Sequence, residues 1–96
     1  MNFQKIYKKA HLAGLENAKK TKALGNGYVY IKVYNDFKDW AIANKLAEKD
    51  YARGWVIIVN DLDEYGSVTK KEAYADAFSK VLTENKIKVN PGVYLT

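Results

Sequence analysis

The stretch Tyr28-Val29-Tyr30-Ile31-Lys32-Val33-Tyr34 constrains the fold more than any other part of the chain. Aromatic or charged residues alternate there with β-branched ones, and strict alternation among β-formers is the signature of a strand. Successive side chains on a strand point to opposite faces. Tyr28, Tyr30, Lys32 and Tyr34 therefore share one face, and Val29, Ile31 and Val33 share the other. Such a strand needs partners, and 96 residues provide one domain, residues 1–96, in which to find them.

The flanking segments follow the helical period instead. At 100° per residue over residues 3–24, Phe3, Ile6, Tyr7, Ala10, Ala13, Gly14, Ala18 and Leu24 fall on one side. Lys5, Lys8, Lys9, Lys19, Lys20 and Lys22 fall on the other, with Leu12 and Leu15 among them. The small residues on the inner side predict an unusually close packing partner. The pattern stops at Leu24-Gly25-Asn26-Gly27, where glycines supply the cap and the turn. Beyond the strand, Asn35 or Asp36 caps a second helix over about 37–49, which buries Trp40, Ile42, Ala43, Leu46 and Ala47. Arg53-Gly54 breaks it. Trp55-Val56-Ile57-Ile58-Val59 is apolar on both faces and reads as the central strand. Thr69-Lys70-Lys71-Glu72 has the spacing of a capping box and opens a third helix to about Asn85, with Tyr74, Ala77, Phe78, Val81 and Leu82 as its buried stripe. A last strand at 87–89 meets a Pro91-Gly92 turn before Val93-Tyr94-Leu95.

The resulting order is α-β-α-β-α-β: an α/β or α+β domain, with a small three-stranded sheet packed by three helices. The strands run parallel if both helical connections are right-handed crossovers. Short loops leave a mixed or antiparallel sheet open.

Composition excludes several chemistries. The chain has no cysteine, which removes disulfides, thiolate metal sites and cysteine nucleophiles. Its one histidine, His11, leaves little room for a metal cluster or a Ser-His-Asp arrangement, and its place at the edge of the lysine face predicts exposure. No Gly-x-Ser-x-Gly, phosphate-binding loop or paired metal-ligand histidines occur. No run approaches the 18 apolar residues of a membrane span, and no apolar leader segment is visible. The expectation is a non-enzymatic, cofactor-free protein of the cytoplasm.

Charge is spread unevenly. Residues 1–34 carry seven lysines against one glutamate, whereas residues 35–66 carry four basic and seven acidic groups. The overall +5 is thus a basic patch rather than a uniformly basic surface. All but one of the 16 basic residues are lysine, which suits diffuse attraction to phosphate or to an acidic surface better than bidentate base reading.

Three constellations stand out. The lysine face of the first helix (Lys5, Lys8, Lys9, Lys19, Lys20 and Lys22, with Leu12 and Leu15) is either a solvated face or an apolar anchor inside a basic rim, the second being a partner-binding surface. The face Tyr28, Tyr30, Lys32, Tyr34 is either core under a helix or an open platform on which nucleic-acid bases stack. Residues 61–72 resemble a calcium loop: carboxylates Asp61 and Asp63, Gly66 at the turn and Glu72 at the twelfth position. Tyr65 stands where that loop needs an oxygen ligand, and a strand precedes it where a helix belongs. A capped strand-turn-helix connection accounts for the same residues.

Two segments carry a resemblance. Ile6-Tyr7-Lys8-Lys9-Ala10-His11-Leu12-Ala13-Gly14-Leu15-Glu16 and Lys71-Glu72-Ala73-Tyr74-Ala75-Asp76-Ala77-Phe78-Ser79-Lys80-Val81-Leu82 resemble small proteins encoded by tailed phages and prophages. The similarity runs through residues 54–59 as well. That group carries a longer segment where this chain has 24–27, has no settled activity, and lacks the calcium-like spacing, so no catalytic residue carries over. The resemblance implies a small binding protein that inhibits a host nucleic-acid-targeting defence machine, in the manner of an anti-CRISPR protein. The partner is then a host protein or ribonucleoprotein complex. The alternatives are an accessory protein of phage replication or recombination that binds DNA or RNA, and a calcium-binding module.

Overall fold

The computed structural model describes residues 1–60, 62 and 66–95. Helix α1 (Phe3–Lys19) leads into β1 (Gly27–Val33), α2 (Asn35–Ala43), β2 (Glu48–Asp50), β3 (Gly54–Ile58), α3 (Val68–Glu84) and β4 (Val89–Leu95). The described residues form an α+β fold, with three helices and one antiparallel sheet in the order β2-β3-β1-β4. From β1 onward the chain runs β-α-β-β-α-β with β1 and β3 central, the split βαβ arrangement. Helix α1 precedes that unit and packs along α3.

The alternation in β1 decides which side of the sheet is covered. Val29, Ile31 and Val33, at most 2 % exposed, meet Ile57 and Val59 from the neighbouring strand segment and Phe37, Ala41, Phe78 and Leu82 from the helices. All three helices send side chains into this core. The small residues of α1 admit the Tyr74 ring of α3: a Cβ at Gly14 would lie 2.5 Å from it. The close approach expected from Ala10, Gly14 and Ala18 is therefore real, and each of these is buried.

Several boundaries differ from the sequence reading, each for a local reason. Helix α1 ends at Lys19, not near Leu24. Its last carbonyls are taken by Thr21, whose hydroxyl donates to the Asn17 carbonyl (2.9 Å), and by the Lys70 ammonium, which donates to the Ala18 carbonyl (2.9 Å). Leu24 is consequently 55 % exposed and off the core face. Helix α2 stops at Ala43, so Ala43 is exposed, and residues 48–50 form the extra strand β2. Lys45 adopts φ 59°, while the amides of Lys45 and Leu46 donate to the carbonyls of Ile42 and Ala41. That is a Schellman motif with lysine in the left-handed position. Helix α3 ends in the same way at Asn85-Lys86-Ile87.

Helix α3 starts at Val68 with Ser67 as its cap, its hydroxyl accepting from the Lys70 amide. Thr69, read from the sequence as the capping residue, instead accepts from the Leu24 amide at 2.9 Å and ties the α1–β1 loop to α3. Pro91-Gly92 makes no turn: β4 runs through it, paired to β1 along its length. As the edge strand, β4 accommodates a residue without an amide hydrogen.

Candidate functional site

The side of the sheet away from the helices holds the second half of the β1 alternation. Directly paired residues of antiparallel strands share a face. Tyr30 pairs with Ile58 and Gly92, Tyr28 with Tyr94, and Lys32 with Val56 and Asn90. The alternative in which a helix covers this face does not hold. Tyr28, Tyr30, Lys32 and Tyr34 are half-buried, and their contacts include one another and neighbouring cations.

The rings are seated by backbone geometry. Gly92 lies opposite Tyr30, and a Cβ at Gly92 would sit 2.2 Å from the ring, so the phenol lies flat across β4. Tyr28 follows at a centroid separation of 6.0 Å, inclined by 33°. Tyr94, 58 % exposed, continues the surface on β4. Tyr28 and Tyr30 on β1 and Tyr94 on β4 thus share this surface, and beyond the end of β1 the ammonium groups of Lys32 and Lys88 stand 5.5 and 4.6 Å from the ring of Tyr34, the residue that caps α2.

Arg53, the chain's only arginine, completes the surface. Its guanidinium lies 4.7 Å from the Tyr30 centroid and 5.5 Å from that of Tyr94. The β2–β3 hairpin holds it there. Asp50 Oδ1 accepts from the amides of Ala52 (2.9 Å) and Arg53 (3.0 Å), its other oxygen lies 3.3 Å from the Arg53 guanidinium, and Gly54 takes φ +84° to re-enter β3. The Ala52 amide, then the Arg53 amide and guanidinium, hold the Asp50 carboxyl below the ordinary carboxylate range. Burial and the nearby Asp50 carboxylate push the Tyr28 phenol above its ordinary value. Tyr51 projects fully into solvent at the hairpin tip. Exposed Glu48 marks the β2 edge with negative charge, so the basic part of the platform lies over β1 and β4.

The other expected residues fall elsewhere. Lys5, Lys8, Lys9, Leu12, Leu15 and Lys19 are exposed on α1, with Leu12 at 56 % and Leu15 at 39 %, so the leucines are not buried by the domain. Lys20 caps the helix and Lys22 lies beyond it, so that face is shorter than the sequence implied. His11 is half-buried rather than exposed, stacked on Tyr7 and hydrogen-bonded through Nδ1 to the Tyr74 hydroxyl. Of the calcium-like set, Asp61 and Asp63 lie outside the described residues, and Glu72 is half-buried on α3, lining a cleft of about 120 Å³ with Asp76, Pro91 and Gly92. Among the described residues, no group of three or more metal-ligating side chains converges. No described helix is long and apolar enough to cross a membrane.

Sequence reasoning missed Arg53, Lys88 and Tyr94. In the sequence Arg53 reads only as part of a helix break, and Tyr94 falls after a Pro91-Gly92 turn rather than within a strand. The residues at 88, 90, 92 and 94 do alternate in phase with the tyrosine face once β4 is continuous. Comparison with protein-family models, with curated proteins and with solved structures finds no match for this chain.

Proposed function

We propose that the chain is a non-catalytic nucleic-acid-binding protein that lays a single strand across the open face of its sheet. One observation carries this reading: Tyr28, Tyr30, Lys32 and Tyr94 share the sheet face opposite the one the described helices pack on, with Arg53 over two of the rings and Tyr34 and Lys88 just beyond the strand ends. Bases stack on aromatic rings and on guanidinium planes, and lysines at the rim meet the phosphates. Strands lie about 5 Å apart, so rings on β1 and β4 are spaced to take about two or three unstacked bases. A duplex hides those base faces, which favours single strands. Arg53 serves as a stacking plane held in place by Asp50, and Lys32 and Lys88 supply positive charge beside Tyr34. Fold alone does not argue for this function; the side chains on the open face do.

The test is fluorescence anisotropy with labelled single-stranded DNA and RNA oligonucleotides of about ten nucleotides at low salt, long enough for one sheet-sized site. Binding is expected, with affinity falling by about 0.7 logarithmic units per phosphate contact for each tenfold rise in salt. The absence of binding to any single strand at low salt sinks the reading.

A second reading is favoured by the exposure of Leu12 and Leu15. Within a lysine rim they form an apolar anchor, and α1 then docks onto a host defence protein, the role the phage-like resemblance implies. Protection of an incoming plasmid from host interference, measured with and without the chain, tests it.

A further inference from the structure

The outward side of α1 is a surface separate from the sheet platform. Lys5, Lys8, Leu12, Leu15 and Lys19 follow one another at intervals of three, four, three and four residues. That is the spacing of the seam between two paired helices, and at 100° per residue the five lie within an arc of about 80°. The buried residues Ala10, Gly14 and Ala18 occupy the opposite side. All five seam residues are exposed, with the two leucines at its centre and lysines at both ends. Beside Leu15, a shallow cleft of about 200 Å³ continues the surface over Ala18 to Leu62.

We propose that this seam docks an acidic amphipathic helix of another protein, with apolar side chains over Leu12 and Leu15 and carboxylates over Lys5, Lys8 and Lys19. The proposal rests on the second reading above and names the chemistry of the partner. Charge selects that partner. A second copy of α1, laid in either direction, sets lysine against lysine, and the one carboxylate of the helix, Glu16, already lies 3.5 Å from Lys20. Nucleic acid answers the lysines but leaves the two leucines in water. An acidic helix answers both, and its apolar side chains exclude water from the charge pairs at the rim.

The test uses the full chain and a labelled, staple-constrained peptide of about four turns with Leu at a and d and Glu at e and g. Two control helices keep only one feature each: Ser at a and d with the same Glu, or the same Leu with Lys at e and g. The expected result is saturable binding of the acidic leucine peptide alone. The double variant Leu12→Ser/Leu15→Ser is expected to weaken it by about tenfold or more, as loss of a central apolar anchor does. Its circular dichroism and its affinity for oligonucleotides are expected to stay unchanged. Equal binding of the serine peptide, undiminished binding by the double variant, or no binding overturns the proposal. So does a wild-type dimer in sedimentation that the double variant abolishes, since that assigns the seam to a second copy. The plasmid-protection assay keeps the two failures apart. Protection that the double variant loses, without peptide binding, defeats only the acidic-helix chemistry. No protection by the wild-type chain defeats the docking reading itself.

Discussion

The two faces of β1 come from one run of seven residues, yet they are held by different physics. On the covered face, Val29, Ile31 and Val33 are at most 2 % exposed and packed by helices. On the open face, Tyr28, Tyr30, Lys32 and Tyr34 keep part of their surface in water and are steadied by ring-on-glycine and cation-on-ring contacts. Val56 shows that the division is not simply core against solvent. It sits on the tyrosine side, opposite Lys32 and Glu48, and is 1 % exposed. The lesson is that stability and recognition are written on alternate residues of one strand, so substitutions one position apart should act on different observables.

The largest effect should come from the covered face. Ile31→Ala removes a side chain with no exposed surface and is expected to cost about 2–5 kcal/mol in denaturant unfolding. Lys32→Ala, its neighbour, is expected to leave the midpoint nearly unchanged and to lower oligonucleotide affinity at low salt. Equal destabilisation by the two would show that both faces of β1 carry stability alike.

Two glycines, each against a tyrosine ring, separate the two faces further. Gly14→Ala drives a methyl into the Tyr74 ring between α1 and α3, for an expected loss of about 1–3 kcal/mol with oligonucleotide affinity intact. Gly92→Ala drives a methyl into the Tyr30 ring, and there the expected loss extends to binding, because the platform itself is tilted. Unfolding curves and anisotropy on the same two variants separate these outcomes.

Arg53→Lys keeps the charge and removes the plane. If Arg53 is a stacking surface, affinity falls by about 1–3 kcal/mol, the worth of one stacked base, while the salt slope is preserved. An unchanged affinity would reduce Arg53 to a point charge.

The smallest effect is that of pH. The Asp50 carboxyl is held below its ordinary value, so its contribution is fully present above the ordinary carboxylate range and is lost as pH falls through the lowered value. The hairpin should therefore keep Arg53 on Tyr30 at mildly acid pH. Nuclear magnetic resonance titration of the Asp50 carboxyl and the Arg53 side chain checks this, and release of Arg53 within the ordinary carboxylate range would contradict it.

Much of this was legible in the residues. The alternation of β1, the close helix contact at Gly14 and the length of α3 are local signals, and each holds. What failed depended on partners. Asn44-Lys45-Leu46 and Asn85-Lys86-Ile87 end two helices by the same motif, yet only the second was read as an end, because apolar residues 46 and 47 prolong the helical period past the first. Pro91-Gly92 carries a turn signature, and only pairing to β1 along one edge makes it strand. Of the tyrosine platform, the β1 half was written in the period of two. Arg53 and Tyr94 join it through sheet order, which no spacing in the sequence reveals.

Everything proposed for the tyrosine platform depends on the open sheet face binding a single strand. The most direct measurement is the shift of backbone amide resonances on titration with a single-stranded oligonucleotide. Shifts are expected to cluster at Tyr28, Tyr30, Lys32, Tyr34, Arg53 and Tyr94, with α1 unmoved. Shifts confined to α1 around Lys8, Leu12 and Lys19, or none at saturating oligonucleotide, would contradict it.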